Sequence, residues 1–150
     1  MIHATVTSRL DYCNSLYTGL PLNLLRKLQL VQNAAARVLT GTRWRAHITP
    51  VLSQLHWLQI GDRIRFKVLM LTFKALNGLG PAYLRDRLFH YSPPRLLRST
   101  DQNLLRVPGP KDIKLAPAWW NALLSDIRAL QELDQFHRAY KTELFRQAYG

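Results

Sequence analysis

Ile60-Gly61-Asp62-Arg63-Ile64-Arg65-Phe66-Lys67-Val68-Leu69-Met70-Leu71-Thr72-Phe73-Lys74-Ala75-Leu76-Asn77 runs without a break to Gly78. Ile60, Ile64, Val68, Leu71 and Ala75 recur at helical spacing and form one apolar stripe, and Phe66, Leu69, Phe73 and Leu76 form a second. A helix that is apolar on two sides packs on two sides, so this segment is the expected architectural centre of an all-α protein. Arg63, Lys67, Met70, Lys74 and Asn77 make up its one largely polar face. That face carries no acid, so internal ion pairs do not lace it: it is either a solvated surface or a stripe that follows a phosphate backbone.

Towards the amino terminus, the pattern predicts a helix over 2–16, closed by Thr18-Gly19-Leu20-Pro21, because glycine takes a left-handed cap and proline opens a following helix. A second helix is expected over 21–40, stopping at Gly41, with Leu24, Leu28, Val31, Ala35 and Val38 as its buried stripe. Thr49-Pro50 opens a short third helix through Leu55. Towards the carboxy terminus, Gly80-Pro81 starts a helix to about Phe89, and two more are expected over 117–128 and 134–149. The sum is a small irregular bundle of about six helices. Its expected organisation is a basic bundle over 1–90, a linker or loop over 91–115 that is rich in proline and arginine, and carboxy-terminal helices over 116–150 that pack on the bundle. The linker, with Arg95, Arg98 and Arg106, either drapes along nucleic acid or is disordered when free.

The charge is unevenly placed. The chain of 150 residues carries +12, with 21 Lys/Arg against nine acids. From Tyr12 to Thr100 there are thirteen bases and two acids, a local balance of +11, while the remainder after Thr100 is almost neutral. Most of the basic residues are arginine, whose planar fork suits phosphate and stacks on bases, so contact with nucleic acid is expected. At 47% hydrophobic residues the chain can build one core without staples. The single cysteine, Cys13, excludes an internal disulfide and sits in an apolar helical pattern, where a small buried hydrophobe is expected. Five scattered histidines and one cysteine offer no zinc-ligand spacing. No stretch approaches the ~20 apolar residues of a membrane span, and no signal-peptide layout opens the chain, so an intracellular protein, nuclear or cytoplasmic, is expected.

Two aromatic groups invite a functional reading. Trp44, between Arg43 and Arg45 just past a helix end, is either a stacking platform or a lid over the core. Trp119 and Trp120, near Lys111 and Lys114, are adjacent on a helix and so point ~100° apart. Core packing is the expectation for that pair. His47 and His56 have no nucleophile or carboxylate pattern around them and are read as structural.

Several short blocks occur in an order that resembles the carboxy-terminal part of LINE-type (non-LTR) retrotransposon reverse transcriptases. They are Ser8-Arg9-Leu10-Asp11-Tyr12-Cys13-Asn14-Ser15-Leu16, the run from Leu28 to Arg37, His47-Ile48-Thr49-Pro50-Val51-Leu52 and Leu55-His56-Trp57-Leu58. The order continues through Phe66-Lys67-Val68-Leu69, Thr72 to Gly78, Pro81-Ala82-Tyr83-Leu84, Ala116-Pro117-Ala118-Trp119-Trp120-Asn121 and Leu144-Phe145-Arg146. Two features depart from that family: the stretch from Arg106 to Ala116 is short, and Leu124 stands where the family commonly has proline.

The resemblance implies a region downstream of the polymerase core. A two-metal polymerase needs paired palm carboxylates, whereas the seven aspartates, Asp11, Asp62, Asp86, Asp101, Asp112, Asp126 and Asp134, are solitary. Mg2+ would belong to the missing core, so the chain is expected to be non-catalytic and to need no cofactor. The resemblance also implies RNA and/or DNA as partners, bound without sequence preference. The candidate contacts are Arg26, Lys27, Arg37, Arg43, Trp44, Arg45, Arg63, Lys67, Lys74, Arg95 and Arg98. The other readings are a helical module that binds the missing polymerase core or self-associates through exposed apolar surface, and a decayed element with no selected function. For self-association, Ile2, Val6, Leu10, Cys13 and Leu16 of the first helix are the expected surface.

Overall fold

A computed structural model describes residues 2–93, 103–107 and 115–150. The linker arginines Arg95 and Arg98, together with Lys111, Lys114 and the side chain of Ile2, lie outside the described residues. Among the described residues there are eight α-helices and no strand: α1 (Ile2–Asp11), α2 (Leu22–Thr40), α3 (Thr49–Gln54), α4 (Ile60–Leu76), α5 (Ala82–Arg85), α6 (Leu115–Asn121), α7 (Ser125–Arg128) and α8 (Leu133–Tyr149). The all-α class read from the sequence is the class of the structure. None of these helices is long and apolar enough to cross a membrane. The chain divides into two compact units, one of residues 1–65 with 142–150 and the other of residues 66–141. These divisions fall inside α4 and α8, not at the expected positions 90 and 115.

In the first unit, α1 ends sooner than its apolar pattern suggests. Cys13 adopts φ 51°, a left-handed conformation that no helix continues through, and a 3-10 turn over Asn14–Tyr17 follows. Cys13 is consequently exposed, which corrects the expectation of a buried thiol. Ala35 and Ala36 of α2, Val51 and Leu52 of α3, and Trp57 form the core, and Val6, Ile48, Leu55 and Tyr149 pack against it.

The buried face of α2 is the expected stripe only in part: Ala35 is buried and Leu28 half-buried, but the rest of the stripe is not. Gln32, Ala35 and Ala36 are buried, whereas Leu24, Val31 and Val38 are exposed. The helix is therefore turned by roughly 80° from the orientation that its apolar residues alone would select. Hydrogen bonds account for the turn. Gln32 Nε2 donates to the Leu58 carbonyl at 2.8 Å, and the Ile60 N–H donates to Gln29 Oε1 at 2.9 Å. Gln29 Nε2 in turn donates to Gln32 Oε1 at 2.9 Å. The Ile60 N–H that leads into α4 would otherwise be buried without a partner, and such an orphan costs about 1–3 kcal/mol.

In the second unit, Phe73 and Phe136 stack at 4.3 Å between centroids, and Trp120 and Tyr140 lie 5.9 and 5.8 Å from Phe136. Trp120 is therefore core, as expected, and its Nε1 donates to the Asn103 carbonyl at 2.8 Å. Asn121 engages both backbone groups of Leu105: the Leu105 N–H donates to Asn121 Oδ1 at 2.8 Å, and Asn121 Nδ2 donates to the Leu105 carbonyl at 2.7 Å. On the other side of this segment the Tyr91 N–H donates to the Leu104 carbonyl and the Arg106 N–H to the Phe89 carbonyl, both at 2.8 Å, around an antiparallel bridge between His90 and Leu105. Residues 103–107 are thus pinned, although they fall within the expected linker. The helix expected over 117–128 is two helices, because Leu124 is extended (φ −57°, ψ 141°) between α6 and α7. Arg128 Nη1 donates to the Asn121 and Leu123 carbonyls, both at 2.7 Å, satisfying acceptors at the end of α6.

Candidate nucleic-acid interface

Gly41 ends α2 in the left-handed conformation (φ 64°) and sends the chain into a turn over 43–46, closed by the Ala46 N–H donating to the Arg43 carbonyl at 3.0 Å. A glycine is needed there because a side chain at that φ is strained. Trp44 sits in the turn at 81% exposure, so it is no lid over the core. Arg37, from the last turn of α2, reaches back beneath it. Its Nη2 donates to the Ala46 carbonyl at 3.1 Å, and its Cζ lies 5.6 Å from the centroid of the Trp44 ring. The guanidinium therefore fixes both the turn and one face of the indole by a cation–π contact. Arg43, Arg45 and His47 around it are exposed.

Arg26 extends this surface along α2. It is exposed and lies eleven residues, three helical turns, before Arg37, so the two share a side of the helix roughly 16 Å apart. Lys27 is also exposed, about 100° around the helix from Arg26. Chemically, the turn offers a flat aromatic face with guanidinium groups on either side. Those are the parts that take an unpaired base and its flanking phosphates.

The expected stripe on α4 is not a single surface. Arg63 Nη1 is 2.7 Å from Asp11 Oδ1, and the Arg63 side chain is only 12% exposed. Its Nε donates to the Leu58 carbonyl at 3.1 Å, and its guanidinium lies over Trp57 at 5.9 Å. With Nη1 and Nε engaged and the guanidinium lying over Trp57 inside the first unit, the largely buried Arg63 is removed from the candidate contacts. Sequence spacing alone could not show this, because Asp11 is 52 residues away. Lys67 is exposed and Lys74 half-buried, both on the part of α4 that belongs to the second unit. The first unit thus gathers Arg26, Lys27, Arg37, Arg43, Trp44 and Arg45.

Beside Arg63, burial raises the Asp62 carboxyl above the ordinary aspartate value, and Arg65 opposes that shift. The Tyr149 hydroxyl donates to the Trp57 carbonyl, and its pKa is raised by burial first and then by the charge of Asp62, with Arg63 opposing. Among the described residues, no group of three or more His, Cys, Asp or Glu side chains could hold a metal ion.

Comparison of the chain with protein-family models, with curated proteins and with solved structures finds no match.

Proposed function

We propose that this chain is a non-catalytic piece of the post-polymerase region of a LINE-type reverse transcriptase, and that it binds single-stranded RNA or DNA without sequence preference through the Trp44 turn. The exposed indole of Trp44, backed by Arg37 and flanked by Arg43 and Arg45, carries this reading. The order of short sequence blocks supports the family origin. One face of the ring is held by Arg37, so an incoming base has the opposite face on which to stack, and bases inside a duplex, already stacked on both faces, do not reach it. Arg43, Arg45 and Arg26 supply phosphate contacts in this reading, in an intracellular setting where such strands occur. The solitary aspartates leave primer extension to a polymerase core elsewhere.

The test is anisotropy with labelled 20-nucleotide uridine and thymidine strands over a range of salt. Affinity is expected to fall with a log–log slope of about −0.7 per phosphate neutralised. Trp44→Ala should cost about 1–3 kcal/mol, which is roughly 5- to 150-fold, and Trp44→Phe much less. If Trp44→Ala keeps its helical content and binds as the parent does, the reading fails. Extension of a primer by the purified chain above a no-protein control would overturn the non-catalytic assignment.

A further inference from the structure

Past α5 the second unit carries another aromatic and basic surface, built on a pair of extended segments. The Tyr91 N–H donates to the Leu104 carbonyl and the Arg106 N–H to the Phe89 carbonyl, around the bridge between His90 and Leu105. In an antiparallel pair of that register, Phe89 stands opposite Arg106 and Tyr91 opposite Leu104. Side chains alternate along extended backbone, so these four share the face away from Leu105, which is 1% exposed. Asn121 bonds both peptide groups of Leu105, so the inner side of the pair is fixed. Phe89 and Tyr91 lie on the outer side, at 63% and 43% exposure, two residues and roughly 7 Å apart along the chain.

The neighbours of the two rings select the ligand. Arg106 is exposed and directly across from Phe89, where paired residues have Cβ atoms roughly 4.5–5.5 Å apart. Arg85 ends α5 and Arg87 lies in the turn that leads into Phe89, both exposed. Asp86 is the one acid over 85–91 and 103–107, against these three arginines. Apolar exposure alone selects no partner. Two aromatic rings on one face with a guanidinium across from one of them do, because rings take bases by stacking and the arginine fork takes phosphate. We propose that the outer face of residues 89–91 and 104–106 is a second binding surface for single-stranded RNA or DNA, with Phe89 and Tyr91 stacking on two successive bases and Arg87 and Arg106 holding phosphates. It takes the same class of ligand as the Trp44 turn and in that respect rests on the nucleic-acid reading, but it lies in the other unit and uses none of the same residues. With fewer cationic side chains and an acid among them, it is the weaker of the two surfaces.

The test uses the full chain carrying Trp44→Ala, which disables the first surface, with a labelled eight-nucleotide uridine strand and an abasic strand of the same length. The uridine strand should bind, and the abasic strand at least about fivefold more weakly. Phe89→Ala and Tyr91→Ala should each weaken uridine binding at least about fivefold with helical content unchanged, and Phe89→Tyr should retain it. A strand carrying 5-iodouridine, irradiated with the parent chain, should cross-link at Phe89 or Tyr91 as well as at Trp44. Equal binding of the abasic strand would leave only a phosphate patch, and full binding by both alanine variants would leave the rings idle; either result overturns the proposal. Loss of helix in both variants, with no cross-link at residues 89 or 91, would make the rings core and overturn it too. If Trp44→Ala binds as the parent does while the ring variants lose binding, the Trp44 reading fails and this surface stands. The reverse pattern, a loss on Trp44→Ala and none from either ring variant, overturns this surface alone.

Discussion

Arg63 and Asp11 hold each other at 2.7 Å across 52 positions of sequence, tying the end of α1 to the first turns of α4. The pair is only partly buried, since Asp11 is nearly half exposed, but Arg63 also supports the Leu58 carbonyl and the ring of Trp57. Arg63→Ala is therefore expected to cost about 1.5–3 kcal/mol in denaturant unfolding, the range for hydrogen bonds to charged groups. At a temperature where the variant remains folded, its affinity for single strands should change less than about twofold. A stable variant that loses binding would return Arg63 to the contact surface.

Asn121 answers both peptide groups of Leu105 with one side chain, standing in for a neighbouring strand. Replacement by alanine should orphan them at a cost of about 1–3 kcal/mol each, before any relaxation or water entry. The Leu105 amide should then exchange with solvent faster than in the parent. Unchanged protection of that amide by NMR would show that the neighbouring bridge to residues 89–91 holds the segment alone.

The backbone of Leu124, at φ −57°, already has the angle that a proline ring imposes, and the side chain is exposed. Leu124→Pro should fold and gain about 0.4–1 kcal/mol, chiefly by restricting the unfolded chain. Destabilisation beyond about 1 kcal/mol would mean that the extended residue between α6 and α7 cannot accept the ring.

Asp62 binds its proton more tightly in the folded protein than in the unfolded chain, because burial disfavours its charge. The stabilising contribution of the protonated group is complete below the ordinary aspartate value of 3.8 and is lost as pH rises through the higher folded value. Asp62→Asn should thus gain stability relative to the parent as pH rises from about 3 towards 7, unless its side chain loses more at the helix start. The direct measurement is the carboxyl titration by NMR, and a midpoint at or below the ordinary value would refute the burial argument.

Legibility followed the range of the interactions. The span of α4 could be read because both its stripes and its glycine stop are local, and Gly78 indeed adopts a left-handed φ of 71°. The Trp44 turn could be located for the same reason, since Gly41 marks the helix end and two arginines bracket the ring. The orientation of α2 could not, because Gln32 is buried and Gln29 half-buried to serve peptide groups near residues 58–60. Nor could the removal of Arg63 from the surface or the pinning of residues 103–107 by Asn121, each of which depends on a distant partner. Of the residues expected on a surface for self-association, Leu10 is buried and Val6 partly buried against the core of the first unit, while Cys13 and Leu16 are exposed.

Tyr149 closes over Trp57, yet the two are separated by the whole of residues 66–141, so the first unit is assembled from both early and late parts of the sequence. On a ribosome the early part emerges first and waits while those intervening residues are made, roughly 4–15 s at ordinary rates of synthesis. Throughout that interval the core of α2 and α3 lacks the covering ring that α8 later delivers. A nascent chain in this state is a natural client for chaperones, and any premature stop within α8 would leave that condition permanent.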